Sequence, residues 1–304
     1  MVLTEAQLIK KRKGISKFGR FLRNLGMILP LAVMGLLVIT AIFAPWLAPY
    51  SYKLNSLPER RLPPAWVKAD PELNRPGGSM KHVLGTDILG RDILSRVIYG
   101  ARVSLSVSLL AIAITAILGA LLGIAAGYLG GRWDAFIMRI CDIAMSFPSL
   151  LIAMLLAVSL GPGFMTVVFA LSILGWAGYA RILRGEALRV AHSEFVDQAR
   201  VAGASGWRIM LRHIFPNVLN TLLVGVTLSV GGMILAESAM SYLGIGIPAP
   251  MPSWGSMVSD GRNDLDRAWW ISTFPGILIG LVVMSGNFMG DWLRDKLDPR
   301  LRQI

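Results

Sequence analysis

Six stretches of the chain, about 26–46, 103–129, 138–160, 164–182, 217–243 and 269–290, are apolar and nearly free of charge. A helix needs roughly 20 such residues to cross a hydrocarbon core about 30 Å thick. Lipid offers no water to backbone amides, so a crossing segment must satisfy them within itself. The strands of a membrane barrel would alternate apolar and polar residues, and these stretches do not. The expected fold is therefore an all-α integral membrane protein with six transmembrane helices. Composition agrees, since 54% of the 304 residues are hydrophobic and 16% are charged, whereas soluble domains carry about 25% charged residues. Disorder and an ordinary soluble enzyme are both excluded. The first stretch follows a basic run from Lys10 to Arg23 and has Pro45 where a signal peptide would carry small residues, so it reads as a retained span.

The net charge of +12 does not form a nucleic-acid patch, because the basic residues lie between the spans. With the N-terminus inside, the inner segments hold seven, two, six and four Lys and Arg, and the outer ones nine, none and two. The nine lie in one long segment, where the positive-inside bias is weakest. Both termini are expected in the cytoplasm, with cytoplasmic tails at 1–25 and 292–304 and a helical core over 103–291. The single cysteine, Cys141, cannot form an intrachain disulfide or a cysteine metal site, and reads as a small buried hydrophobe.

The external segment, 47–102, is rich in Pro and Gly up to Gly78. Asp87 reads as the N-cap of a short amphipathic helix over 88–99, with Asp92 and Arg96 at the favourable i,i+4 spacing. Gly161-Pro162-Gly163 leaves room for only a tight turn between the third and fourth spans. The inner connection at 191–216 is far longer, and long connections are usually functional. Ser193 can cap a helix whose first turn holds Glu194. Phe195, Ala199 and Ala202 form one apolar stripe, Gly203 and Gly206 interrupt, and Trp207, Met210, Leu211 and Ile214 form a second. Pro216 opens the fifth span, where its missing N–H costs little. Such an exposed helix suits docking into a partner's groove.

Asp197-Gln198-Ala199, Gly203 and Phe215-Pro216 resemble the EAA loop of ABC importer permeases, with Asp197 standing for the glutamate and Gln198 for the first alanine. Leu84 to Asp87, Gly90-Arg91-Asp92 and Gly100 to Leu105 are similar to the leading segment of dipeptide and oligopeptide permeases. Gly290 to Arg300 is similar to their C-terminal signature, and the set is most like the C-type subunit. The resemblance implies a half-transporter that pairs with a homologous permease, two P-loop ATPase subunits and an extracytoplasmic substrate-binding protein in a bacterial or archaeal inner membrane. It also implies that the loop, through Glu194, Asp197, Ala199, Gly203, Trp207 and Pro216, couples to the ATPase. No Gly-Lys pair occurs in the chain, so it lacks a P-loop. ATP and Mg would be used by the partners, with no cofactor, metal or catalytic residue expected here.

Glu237, with Ser238 beside it, is the acid deepest in any span, and intramembrane acids often mark a pathway. It reads either as a structural acid with a partner or as a gate group facing a peptide amine. Arg139 and Asp142 read as an i,i+3 pair, Pro148 as a kink, and Trp46, Trp254, Trp269 and Trp270 as interfacial anchors. Gly119, Gly123 and Gly127 permit close helix packing. An intramembrane protease is disfavoured, because all three histidines lie outside the spans. An ion-coupled secondary transporter is the alternative reading, weakened by the lack of a visible duplication.

Overall fold

The structure is a computed structural model that describes residues 17–69 and 76–297. Lys10 to Lys13 and most of the two predicted tails lie outside the described residues. The helices that build the fold and the loop are α1 (Lys17–Ile42), α2 (Ile93–Leu129), α3 (Gly131–Ser146), α4 (Ser149–Leu160), α5 (Phe164–Ala191), α6 (Glu194–Val201), α7 (Gly206–Ile209), α8 (Phe215–Tyr242), α9 (Trp254–Gly261) and α10 (Trp270–Leu297), with two further single turns at Ala44–Leu47 and Leu265–Ala268. Among the described residues the only β-type pairing is an isolated bridge between Thr86 and Asp92. The fold is all-α.

By length and composition α2, α5, α10 and the run Gly206–Tyr242 can each cross a membrane, and α3 with α4 can supply a fifth crossing as a bent pair. The apolar part of α1, Ile28–Ile42, is shorter. The stretch expected as one helix over 138–160 is in fact two, inclined at 83°. Pro148 has no amide hydrogen to donate, and the residue before a proline avoids the helical region. Phe147 is accordingly extended, with φ −100° and ψ 142°. The amphipathic helix expected over 88–99 is not a separate element either. Asp92 accepts from the Ser95 amide at 2.7 Å and caps α2, which then runs unbroken from Ile93.

The most extensive helix contact joins α2 to α5. A Cβ at Gly119 would lie 2.4 Å from the Tyr179 Cβ, one at Gly123 2.5 Å from the Ala180 carbonyl oxygen, and one at Gly127 2.8 Å from the Ala187 Cβ. In lipid, helices associate through such close packing, because apolar burial offers little net drive. α8 lies against α10, where Gly231 faces the Val283 backbone. Met34, Leu37 and Ala41 of α1 join a core built from α2, α8, α9 and α10.

Gly123→Leu is expected to hold α2 and α5 apart at a backbone contact. Forced overpacking costs about 1–3 kcal/mol, occasionally more, and thermal unfolding of the purified chain should drop accordingly. Gly178→Ala, with nothing within 4 Å of its new methyl group, should leave the midpoint unchanged or raise it.

Candidate functional site

α5 ends at Ala191, and Ser193 restarts the chain as α6. The Ser193 hydroxyl does not cap α6; it donates to the Val190 carbonyl at 2.5 Å. At the far end the Ala204 amide donates to the Ala199 carbonyl, and the Gly203 amide to that of Arg200, both at 3.0 Å. This is the 6→1 and 5→2 pattern that requires a left-handed residue after the helix, and Gly203 has φ +80°. Ser205 then caps α7. A π-helical stretch, Met210–Ile214, carries α7 into α8, with the Phe215 amide donating to the Met210 carbonyl. The bulge sits just ahead of Pro216, which has no amide hydrogen to donate. Asn217 Nδ2 donates to the His213 carbonyl at 2.7 Å.

The apolar faces of this loop differ from both expected stripes. Val196 is fully buried with Ala199 packed beside it, while Phe195 and Ala202 are exposed. In an eight-residue helix, composition alone does not choose between adjacent positions, and contact with α2 and α5 makes the choice. Ile209 and Ile214 are buried, whereas Trp207 and Leu211 stand exposed, because the π-helical stretch shifts the register by one residue. The loop is therefore anchored by Val196, Ile209 and Ile214 in one core with Ala120, Ile124, Leu183, Ala187 and Val218. Its outer face carries Glu194, Asp197, Gln198, Val201 and Ala202 around an open hollow, and Val201 is 90% exposed. Asp197 pairs with Arg200 at 2.8 Å, and Arg200 stacks over the Tyr128 ring. Pro216 is exposed at the start of α8.

At the opposite end, Glu237 is sealed between α2, α8 and α9, fully buried. Among the described residues it has no basic partner. Its Oε2 accepts from Ser104 at 2.8 Å and its Oε1 from Ser241 at 2.7 Å. The Trp254 amide points at the same Ser104 hydroxyl, 3.5 Å away. Ser238 is buried beside Glu237. Gly255 and Gly246 allow the α9 segment to lie on this cage, since a Cβ on either would sit 2.1 Å from a Ser238 or Ser241 atom. Trp254 and Trp270, expected as interfacial anchors, are core residues whose indoles donate to the Val97 and Thr86 carbonyls at 3.0 Å.

A buried ionic cluster beside this cage was not foreseen. Asp87 Oδ2 takes Arg91 at 2.5 Å and Arg96 at 3.0 Å, and both arginines reach Asp260 Oδ2 at 3.1 and 3.2 Å. Arg96 therefore pairs with Asp87 and Asp260, and Asp92 serves instead as the helix cap. Burial pushes the Asp260 carboxyl up, and Arg96 and Arg91 pull it back. Arg61 adds a two-contact bridge to Asp264 at 3.1 Å. The charged residues are plain in the sequence, but their pairing is not, since Asp260 lies 164 positions from Arg96. Asp142 likewise pairs with Arg181, and Asp134 with Arg184, so Arg139 is not the partner of Asp142.

A bundle of apolar helices with an exposed, core-anchored helical loop at one end defines a membrane-embedded permease. Residues 119–303 match the family described as binding-protein-dependent transport system inner membrane component, and residues 18–64 match the N-terminal TM domain of oligopeptide transport permease C. The chain belongs to that transport family. It is 40% identical over 282 residues to the di/tripeptide transport system permease protein DppC of Pseudomonas aeruginosa, covering 93% of this chain and 90% of the relative. It is 39% identical to the oligopeptide transport system permease protein OppC of Bacillus subtilis over 93% of this chain and 88% of that one. A chain of the inward-facing MetNI methionine ABC transporter superposes with a TM-score of 0.53 at 15% identity, over 68% of this chain and 98% of that one, which shows a shared fold.

Asp87→Asn should strand two buried guanidinium groups on Asp260. Breaking a buried pair costs about 3–5 kcal/mol, whereas Arg61→Gln, at a half-exposed pair, should cost below about 1 kcal/mol; thermal unfolding compares them. Glu237→Ala should cost about 2–4 kcal/mol through the cavity and two unpaired hydroxyls, while Glu237→Gln retains an acceptor and should leave uptake near normal. A loss of uptake by Glu237→Gln at normal protein levels would instead mark Glu237 as a substrate contact.

Proposed function

We propose that this chain is one of two homologous permease subunits of an ATP-driven importer of di- or oligopeptides. The substrate class follows from the relatives, which are named for dipeptide, di/tripeptide and oligopeptide transport. In this reading the 191–216 loop faces the cytoplasm and docks into a P-loop ATPase, which binds ATP and Mg. A binding protein delivers substrate at the end that carries the 47–92 segment. The chain hydrolyses nothing itself.

The observation that carries the proposal is the build of α6. Its inner side is fixed by Val196 to the cores of α2, α5 and α8, and its outer side offers Glu194, Asp197 and Val201 to a partner. A push on the outer side therefore reaches the spans through Val196 and Ala199. Trp207, 61% exposed, widens the docking face, and the π-helical stretch ahead of Pro216 gives the joint to α8 where movement enters that span. π-Bulges inside helices frequently sit at functional sites. Glu237 and Ser238 stand in the wall of the translocation path, where the serine cage holds α9 against α2.

Gly203→Val forces a β-branched residue into a left-handed backbone, a genuine outlier for such a side chain, and should uncouple α6. ATP-dependent uptake in proteoliposomes with the partner subunits is expected to fall at least about tenfold, with co-purification of the ATPase reduced and membrane insertion unchanged. Gly203→Asn, which visits that conformation routinely, should retain most activity. Normal uptake by Gly203→Val, or uptake by the wild type without ATP under an ion gradient, would overturn the reading.

A further inference from the structure

α3 leaves a row of large apolar side chains uncovered. Gly130 and Gly131, with φ +61° and +53°, turn the chain sharply as it leaves α2. One side of α3 packs inward, with Ile137 and Cys141 buried against Ala126, Ala177 and Ala180. A second side carries Trp133, Phe136, Ile140 and Ile143 at spacings of three, four and three, and the row continues to Phe147. All five are between 39% and 62% exposed. Along one edge of that row stand Arg132 and Arg139, exposed and with no hydrogen bond or ion pair among the described residues.

The direction of α3 follows from two ion pairs. Asp134 meets Arg184 and Asp142 meets Arg181. Eight residues of α3, about 12 Å, therefore correspond to three residues of α5, about 4.5 Å. α3 runs across α5, which is consistent with its 83° inclination to α4. Beyond Phe147, α4 carries the exposed Leu151, Leu155 and Val158.

We propose that α3 is an in-plane interfacial helix that binds anionic phospholipid headgroups through Arg132 and Arg139. A helix with an aromatic and aliphatic face and basic residues flanking it lies at the boundary between headgroups and acyl chains. α4 enters the hydrocarbon and α3 stays at its edge, on the side of the 191–216 loop, since Gly127 at the end of α2 packs on Ala187 near the end of α5. The two unpaired guanidinium groups then face the layer of lipid phosphates, which supplies the counter-charge the protein does not.

The test uses the assembled transporter in nanodiscs, with Cys141→Ala as the background for single nitroxide labels. Labels at 136, 140 and 143 should be accessible to oxygen at nearly constant depth, while labels at 151, 155 and 158 should change depth steadily. Depth that changes steadily along α3 would make it a crossing segment and overturn the proposal. Shielding of its labels from both oxygen and a water-soluble nickel chelate would place a protein there, with the same consequence. Local enrichment of a headgroup-labelled phosphatidylglycerol over phosphatidylcholine around position 136 should fall about fivefold for each of Arg132→Gln and Arg139→Gln at low salt. Enrichment unchanged in the double variant would remove the headgroup site.

Discussion

Backbone contact between α2 and α5 along Gly119, Gly123 and Gly127 fixes the spacing to which the other helices conform. Once those two axes are this close, Ala177 and Ala180 of α5 are available to α3, and Ala120 and Ile124 of α2 to the loop core. Larger side chains at the three glycines would move both surfaces outward. The loop would then lose the floor on which Val196, Ile209 and Ile214 sit. In a medium as apolar as the side chains themselves, a contact of this kind is where helix association gains its energy.

The far end of the molecule solves a different problem, that of keeping charged and polar groups away from water. Arg91 and Arg96 are paired to Asp87 and Asp260, and Glu237 is ringed by hydroxyls. Both arrangements join α2 to α9, so the segment after α8 is held by hydrogen-bonding geometry as well as by the burial of Trp254. Isolated buried ions are costly, and the pairing converts that cost into a preference for one placement of α9. The 47–92 segment is secured to the same frame by the Trp270 indole on Thr86 and by Arg61 on Asp264.

The loop end is built on the opposite plan. Charges there point outward, and among the described residues nothing covers apolar side chains such as Val201 and Trp207. One side of α6 is anchored in the core and the other is open. α3 lies at this same end, over the ends of α2 and α5.

The helical fold, the positions of the apolar runs, the glycine contact and the acid-bearing loop were all legible in the sequence. Each rests on a local property: span length, the i,i+4 spacing of glycines, or a break at Gly203. Family resemblance came from the same short segments. The tertiary structure alone decided which aspartate meets Arg96, that Asp142 meets Arg181 rather than Arg139, and that Trp254 and Trp270 lie inside. It also decided that α2 begins at Ile93 and that the third stretch bends through 83°. Periodicity records whether a residue prefers water or an apolar neighbour. Which neighbour it finds depends on how helices distant in the chain cross, and that is set by packing summed over all of them.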